Sequence, residues 1–272
     1  MAATEPQPTQ KTSLKTPVRN RFFYGKLMSD YHFQLETRYF NDHRHLHNRL
    51  VPGFGVVCGL DVQPGPDGQG IVVCPGYAID RWGREIIVPE PTAPIPIPPE
   101  LLPPPARPDP YQQAQAESYG RRPEYPPKDR EERVVRVMLC YHECESDPTP
   151  VMAGECGTVE ECAAGAIRER YRITFKEGPA KKVHLECRIP DLLYNGRLDY
   201  GAVVKWVSEG CSEPADDPCI PLANVCLPAD GDRCDDDRID ITVRPIVYTN
   251  DLLFEILLSL LIEERDEDRR EK

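Results

Sequence analysis

The stretch from Asn20 to Val88 constrains the fold of this chain more than any other. It opens on the aromatic run Phe22-Phe23-Tyr24 and passes into an apolar rhythm introduced by Ser29 and Asp30. Ser29 suits an N-cap, and Asp30 complements the positive end of a helix dipole. Tyr31, Leu35, Tyr39, Leu46 and Leu50 recur at helical spacing, and Pro52-Gly53 stops the pattern. Glu36, Arg38, Arg44 and Asn48 fall on the other face. A helix of this length cannot bury an apolar stripe by itself, so the stripe is expected to lie on a sheet or another helix.

The pattern then changes to period two. Val56, Cys58, Leu60 and Val62 alternate with Val57, Gly59 and Asp61, and the turn formers PGPDGQG follow. A returning strand over Ile71–Ile79 makes a hairpin that would set Cys58 opposite Cys74. A second turn at Asp80-Arg81-Trp82-Gly83 and a strand from Arg84 to Val88 complete a small meander.

The segments FFYGKLM, FQLE, HNRL, GFGVVCGLDV and CPGYAIDRWGREIIV resemble small structural proteins encoded with contractile phage-tail-like particles, including extracellular contractile injection systems. A related pattern occurs in tail-fibre and baseplate proteins. The resemblance is specific over 20–88, about a quarter of the chain, and weaker over 133–175 and 219–253. It implies a baseplate, cap or fibre-attachment part, with other subunits of the particle as partners and an oligomeric or ring-associated state. It carries over no catalytic residue.

A chain of 272 residues is long enough for one large or two modest domains. Its net charge of −12 argues against a nucleic-acid or anionic-membrane surface. No run reaches the roughly 18–20 apolar residues of a membrane span, so no membrane insertion is expected. No charged-then-apolar leader opens the sequence given, and residues 1–19 read as a polar, disordered arm. Cytoplasmic synthesis, with release inside an extracellular particle, is the expected localisation.

Thirty prolines favour loops and edges, and they concentrate between 89 and 130. That segment breaks the chain into an extended excursion with polyproline character. Strands are expected at Arg133–Tyr141, Ile167–Phe175, Lys182–Ile189, Pro221–Leu227 and Ile239–Tyr248. A short helix is expected around Tyr200, Val203, Val204 and Val207. The expected class is α+β and β-rich: an N-terminal helix and meander over 20–88, short antiparallel strands in a cysteine-containing region over 131–248, and a C-terminal apolar helix with a charged tail over 249–272.

The eleven cysteines form an odd set, which rules out complete internal pairing. Cys140, Cys144, Cys156 and Cys162 gather around one expected loop, with His142 as a substitute ligand. Cys211, Cys219, Cys226 and Cys234 form a looser second group. Zinc would need about four soft ligands in a tetrahedron, but spacings of C-x3-C and C-x5-C are not the tight pairs of fingers and ribbons. Zinc at the first group, disulfides within its loop, and plain thiols all stay open. Zinc shared between the groups is a further alternative.

No other signature commits the chain to catalysis. His43 and His47 lie four apart on the first helix but lack the glutamate of a zinc protease. Asp216-Asp217 and Asp235-Asp236-Asp237 lack calcium-loop spacing and read as solvated turns. There is no nucleophile elbow, P-loop or dinucleotide fingerprint. The reading favoured is a non-enzymatic docking subunit. A Cys/His metal- or thiol-dependent enzyme is the alternative, as is a free-standing surface-binding β module using exposed Trp82 and Trp206. The docking residues expected are Phe22, Phe23 and Tyr24 in the arm and Leu253, Leu257 and Leu261 in the last helix. That helix, capped by Asn250, is apolar except for the line Asp251, Glu255, Ser259 and Glu263, far wider than an ordinary surface stripe. Its cover is either the chain's own core or a partner, and the partner is favoured.

Overall fold

The computed structural model describes residues 14, 16–66, 68, 70–102, 133–150, 162–183, 189, 192–194, 197–227 and 238–270. The fold is α+β and β-rich, and its sheets are antiparallel. Helix α1 (Asp30–Leu50) is followed by β1 (Gly55–Gly59), β2 (Val62–Pro64), β3 (Ile71–Val73), β4 (Gly76–Ile79) and β5 (Glu85–Val88). Then come β6 (Arg133–Pro150), β7 (Cys162–Glu177), β8 (Leu193–Tyr194), β9 (Arg197–Leu198) and the short helix α2 (Tyr200–Val207). β10 (Ile220–Leu227), β11 (Ile239–Asp240) and helix α3 (Asn250–Arg270) complete the order. The expected N-terminal arm falls mostly outside the described residues, as do 103–130 of the proline-rich excursion.

The meander forms, but its long hairpin is broken in two. β1 pairs β4, and β2 pairs β3 around the glycine-rich turn. The break sits at Gly59-Leu60, both in the left-handed region, opposite Pro75. A side chain at Gly59 would meet the Pro75 carbonyl oxygen at 2.1 Å, so glycine is required there. The register differs from the expected one. Cys58 faces Tyr77, and the Cys74 N–H bonds the Asp61 carbonyl at 2.8 Å. The turn is centred later than the symmetric reading of PGPDGQG supposes, because Gly65 and Gly70 close it. Cys58 and Cys74 are therefore not opposite one another.

Three sheets share one core. Their orders are β1-β4-β5, β2-β3 and β11-β10-β6-β7. Leu60, Ile71, Ile86, Val137, Leu139 and Leu222 are fully buried in one continuous cluster. Burying each such side chain stabilises the fold by roughly 1.5–3 kcal/mol before ordering costs. Chain segments without regular structure close the edges. Ile95 exchanges hydrogen bonds with Ile71 at 3.0 and 2.8 Å, so the start of the proline-rich stretch runs beside β3. Pro245 to Val247 lie along β1, where Val56 and Val247 each donate a bond. The strand expected over Ile239–Tyr248 thus shrinks to β11 and a single parallel bridge at Ile246.

β6 and β7 overturn another expectation. The cysteine-rich stretch after Tyr141 does not leave the sheet as a loop at once. β6 continues to Pro150, paired with β7 as far as Cys162. β10 accompanies β6 only from Arg133 to Leu139. Beyond that point the two strands form a ribbon of about 35 Å, at ~3.4 Å per residue. The strand expected over Lys182–Ile189 is not formed at 182–183, and 184–188 lie outside the described residues.

α1 begins where expected, with the Ser29 N–H donating to His32 Nδ1 at 3.2 Å. It meets the fold through its C-terminal part and not along the whole stripe. Arg49 is its one buried residue, while Leu35, Tyr39 and Leu46 of the apolar stripe are half-buried and Tyr31 and Leu50 are exposed. Polar residues near its end make the specific contacts. Asn48 Nδ2 donates to the Gly83 carbonyl and to Glu85 Oε1, both at 3.0 Å. Arg44 pairs with Glu85 at 3.1 Å. Gly83, at φ +87°, brings the β4–β5 turn so close that a Cβ would lie 2.0 Å from the His45 carbonyl oxygen. Gly83→Ala should therefore cost at least about 2 kcal/mol in chemical unfolding, whereas Gly25→Ala, at a positive φ with open space around it, should cost about 1 kcal/mol. Equal losses would mean that α1 does not press on this turn.

Candidate functional site

The β4–β5 turn is built around a buried ion pair. Asp80 is completely buried, and Arg84 almost so. Arg84 Nε and Nη2 each lie 2.7 Å from Asp80 Oδ2. The other carboxylate oxygen accepts the backbone N–H groups of Trp82 at 2.8 Å and Arg84 at 2.9 Å. Burial pushes the Asp80 carboxyl above its ordinary range, and the guanidinium and these N–H donors pull it back. Arg84 also lies between two rings, 4.7 Å from the Trp82 centroid and 4.5 Å from that of Tyr141 on β6. Its planar cation stacks where a lysine could not.

This clamp organises the neighbouring segment. Trp82 Nε1 donates to the Ala215 carbonyl at 2.8 Å, and the Arg81 N–H donates to that of Pro218 at 3.1 Å. Arg49 of α1 donates to the carbonyl of Ser212. Residues 212–218 are thus strapped across the turn and the end of α1. Cys219, next along, is disulfide-bonded to Cys140 of β6. Trp82 is consequently part of the framework, while Trp206 on α2 is 44% exposed.

The pairing Cys140–Cys219 joins the two cysteine groups that the sequence keeps apart, and it corrects the four-ligand zinc proposal. The Cys140 sulfur is committed to a covalent bond. Cys144 and Cys162 are free thiols on opposite strands, opposite Arg168 and Pro150 respectively, so six residues of β6 separate their positions. At ~3.4 Å per residue that is about 20 Å, too far for one ion. Cys156 lies outside the described residues, as do Cys234 and Asp235–Asp237. Among the described residues no group of three or more His, Cys, Asp or Glu side chains could hold a metal. His43 packs edge-on against Tyr39 at 4.6 Å. Cys226 of the second group is a half-buried free thiol on β10.

The surface carries what the core does not use. Phe22, Phe23 and Tyr24 are exposed, and Leu27, Tyr31, Phe33 and Phe40 continue that surface along the sequence into α1. α3 is capped by Thr249, not Asn250: Thr249 Oγ1 accepts the Leu252 N–H at 3.2 Å. Leu253, Leu257 and Leu261 are 43%, 58% and 55% exposed, and Phe254, Leu260 and Ile262 are as open. Among the described residues no part of the core covers these side chains. Among the described residues no helix is long and apolar enough to cross a membrane.

Comparison with known proteins adds little to this geometry. No family model matches the chain, and no curated protein does. A crystal structure of TssK aligns with a TM-score of 0.39 at 12% identity, covering 94% of this chain and 50% of that one. This chain therefore spans half the length of the TssK chain it matches, and a likeness this coarse carries no functional argument.

Two tests follow from the clamp. Arg84→Met leaves a buried carboxylate unpaired and should cost roughly 3–5 kcal/mol, whereas Arg44→Met at the exposed pair with Glu85 should cost at most about 1 kcal/mol. Similar losses in urea unfolding would show that Asp80–Arg84 is not the anchor. His45 provides the second. Its burial, with Arg44 and Arg84 nearby, lowers its pKa to about 4 against the partial pull of Glu85. The unfolded chain then binds the proton more readily, so this contribution is complete above about pH 6.5 and is lost as pH falls towards 4. Its steepest slope should be about 1.4 kcal/mol per pH unit, and His45→Gln should flatten that part of the pH–stability curve. An unchanged slope would place His45 in solvent.

Proposed function

We propose that this chain is a non-enzymatic structural subunit of a contractile phage-tail-like particle, in its baseplate, cap or fibre-attachment layer. One observation carries the reading. A framework fixed by a buried ion pair and a disulfide presents two large apolar surfaces that it does not itself cover. Exposed apolar patches of this size mark sites of protein association. α1 is held near its C-terminal end by Arg44, Asn48 and Arg49, and its exposed Tyr31, Phe33 and Phe40 are continuous in sequence with Phe22-Phe23-Tyr24. The segments FFYGKLM and GFGVVCGLDV, on which the likeness to particle proteins rests, coincide with this arm and with the strand beside the clamp.

In this reading the chain is made in the cytosol and leaves as part of the particle. The Cys140–Cys219 bond then suits the oxidising surroundings of the released assembly. Its partners are neighbouring subunits, engaged through Phe22, Phe23 and Tyr24 on one surface and Leu253, Leu257 and Leu261 on the other.

Sedimentation of native particles tests the proposal. The wild-type chain should pellet with sheath-bearing assemblies. A Phe22→Ala, Phe23→Ala, Tyr24→Ala variant should lose at least about tenfold in occupancy, since aromatic anchors dominate such contacts. A wild-type chain that stays wholly in the supernatant would overturn the reading.

A further inference from the structure

The geometry points to α3 as a self-assembly element: its partners are the α3 helices of other copies of this chain, packed as a bundle of three or more. This names the occupant of one surface assigned above and so rests on the docking reading. Three observations carry it.

The first is the shape of the apolar surface. Asp251, Glu255 and Ser259 form a polar line that drifts slowly around the helix, and every other residue from Leu252 to Ile262 is apolar. The apolar arc is at least about 240° wide, more than twice the ~100° stripe that one packed neighbour covers. A single partner helix leaves more than half of it wet, whereas two neighbours cover most of it.

The second is area. The eight large apolar side chains from Leu253 to Ile262 are 37–59% exposed. Together they offer roughly 800 Å², close to what each partner contributes to a standard stable interface. Every copy carries the same deficit, so a closed symmetric bundle satisfies all copies with one contact type.

The third is placement and charge. α3 starts three residues after Val247, which is buried and hydrogen-bonded to Val56 at 2.9 Å. The helix therefore leaves the body from a fixed point. The sequence that follows, EERDEDRREK, mixes six acidic with four basic residues. A single-sign tail would repel its copies, whereas a mixed one can pair across them.

Light scattering on the full chain during gel filtration tests this. The wild type should run as three or more copies at tens of micromolar. Leu257→Glu with Leu261→Glu should weaken self-association at least 100-fold, giving a monomer with an unchanged unfolding midpoint. A wild-type monomer, or a double variant that keeps the wild-type mass, would overturn the proposal. If the double variant fails to fold, the chain ending at Thr249 decides. A folded monomer supports the bundle, and an unfolded one assigns α3 to the chain's own core and overturns it. Particle sedimentation separates the two claims. A monomer that still pellets with particles sinks the bundle and leaves the docking reading. A bundle that never pellets does the reverse.

Discussion

The guanidinium of Arg84 is the centre on which this structure depends. It neutralises a carboxylate that has no access to water, and it fills the space between the indole of the β4–β5 turn and a phenol of β6. Asp80 without it would be a buried charge. Trp82 without it would lose the contact that aims its N–H at Ala215. Tyr141 donates its hydroxyl to Glu143 at 2.8 Å while its ring meets the cation, so β6 is tied to the β4–β5 turn through one residue. Burial and the Glu143 contact also raise the Tyr141 pKa, so the phenol remains a donor across the physiological range.

From this centre the placement of α1 follows. The turn that Arg84 stabilises presents a carbonyl at Gly83 and a carboxylate at Glu85, and Asn48 and Arg44 meet them. A helix held through such groups near one end leaves Tyr31, Phe33 and Phe40 uncovered, as is the aromatic arm that precedes them. α3 is left open for a different reason: the three sheets already fill the core with their own side chains, and the segment from Pro245 to Val247 is used to seal β1 before the helix begins. Both surfaces lie outside a core that the sheets fill with their own side chains.

Much of this was legible in the sequence where the cause is local. Ser29, Pro52-Gly53, the alternation around Val56 and Val62, and the turn at Asp80–Gly83 all act within a few residues, and the elements formed accordingly. What depends on distant partners was not. Apolar periodicity marked the side of α1 that seeks burial, of which Leu35, Tyr39 and Leu46 are half-buried, but not the acceptors that Arg44, Asn48 and Arg49 find at its C-terminal end. The hairpin register moved because Gly65 and Gly70, not the centre of PGPDGQG, close the turn. β6 ran past its apolar segment because its ladder with β7 is satisfied by backbone groups, whatever the side chains. Cys140 and Cys219 meet because β10 lies beside β6, a pairing that no cysteine spacing encodes. The exposure of Leu257 and Leu261 was foreseeable from the width of the apolar arc, which exceeds what one neighbouring layer can cover.

A docking subunit has these apolar surfaces open when free and closed in an assembly. Hydroxyl-radical footprinting of side chains, on the dissociated chain and on intact particles, measures this directly. Phe22, Phe23, Tyr24 and Phe40 should be strongly modified in the dissociated chain, with at least severalfold protection in the particle. Tyr141 and Trp82 should stay protected in both. Equal reactivity of the aromatic arm in the two states would contradict the docking role, as would an arm already protected in the free chain.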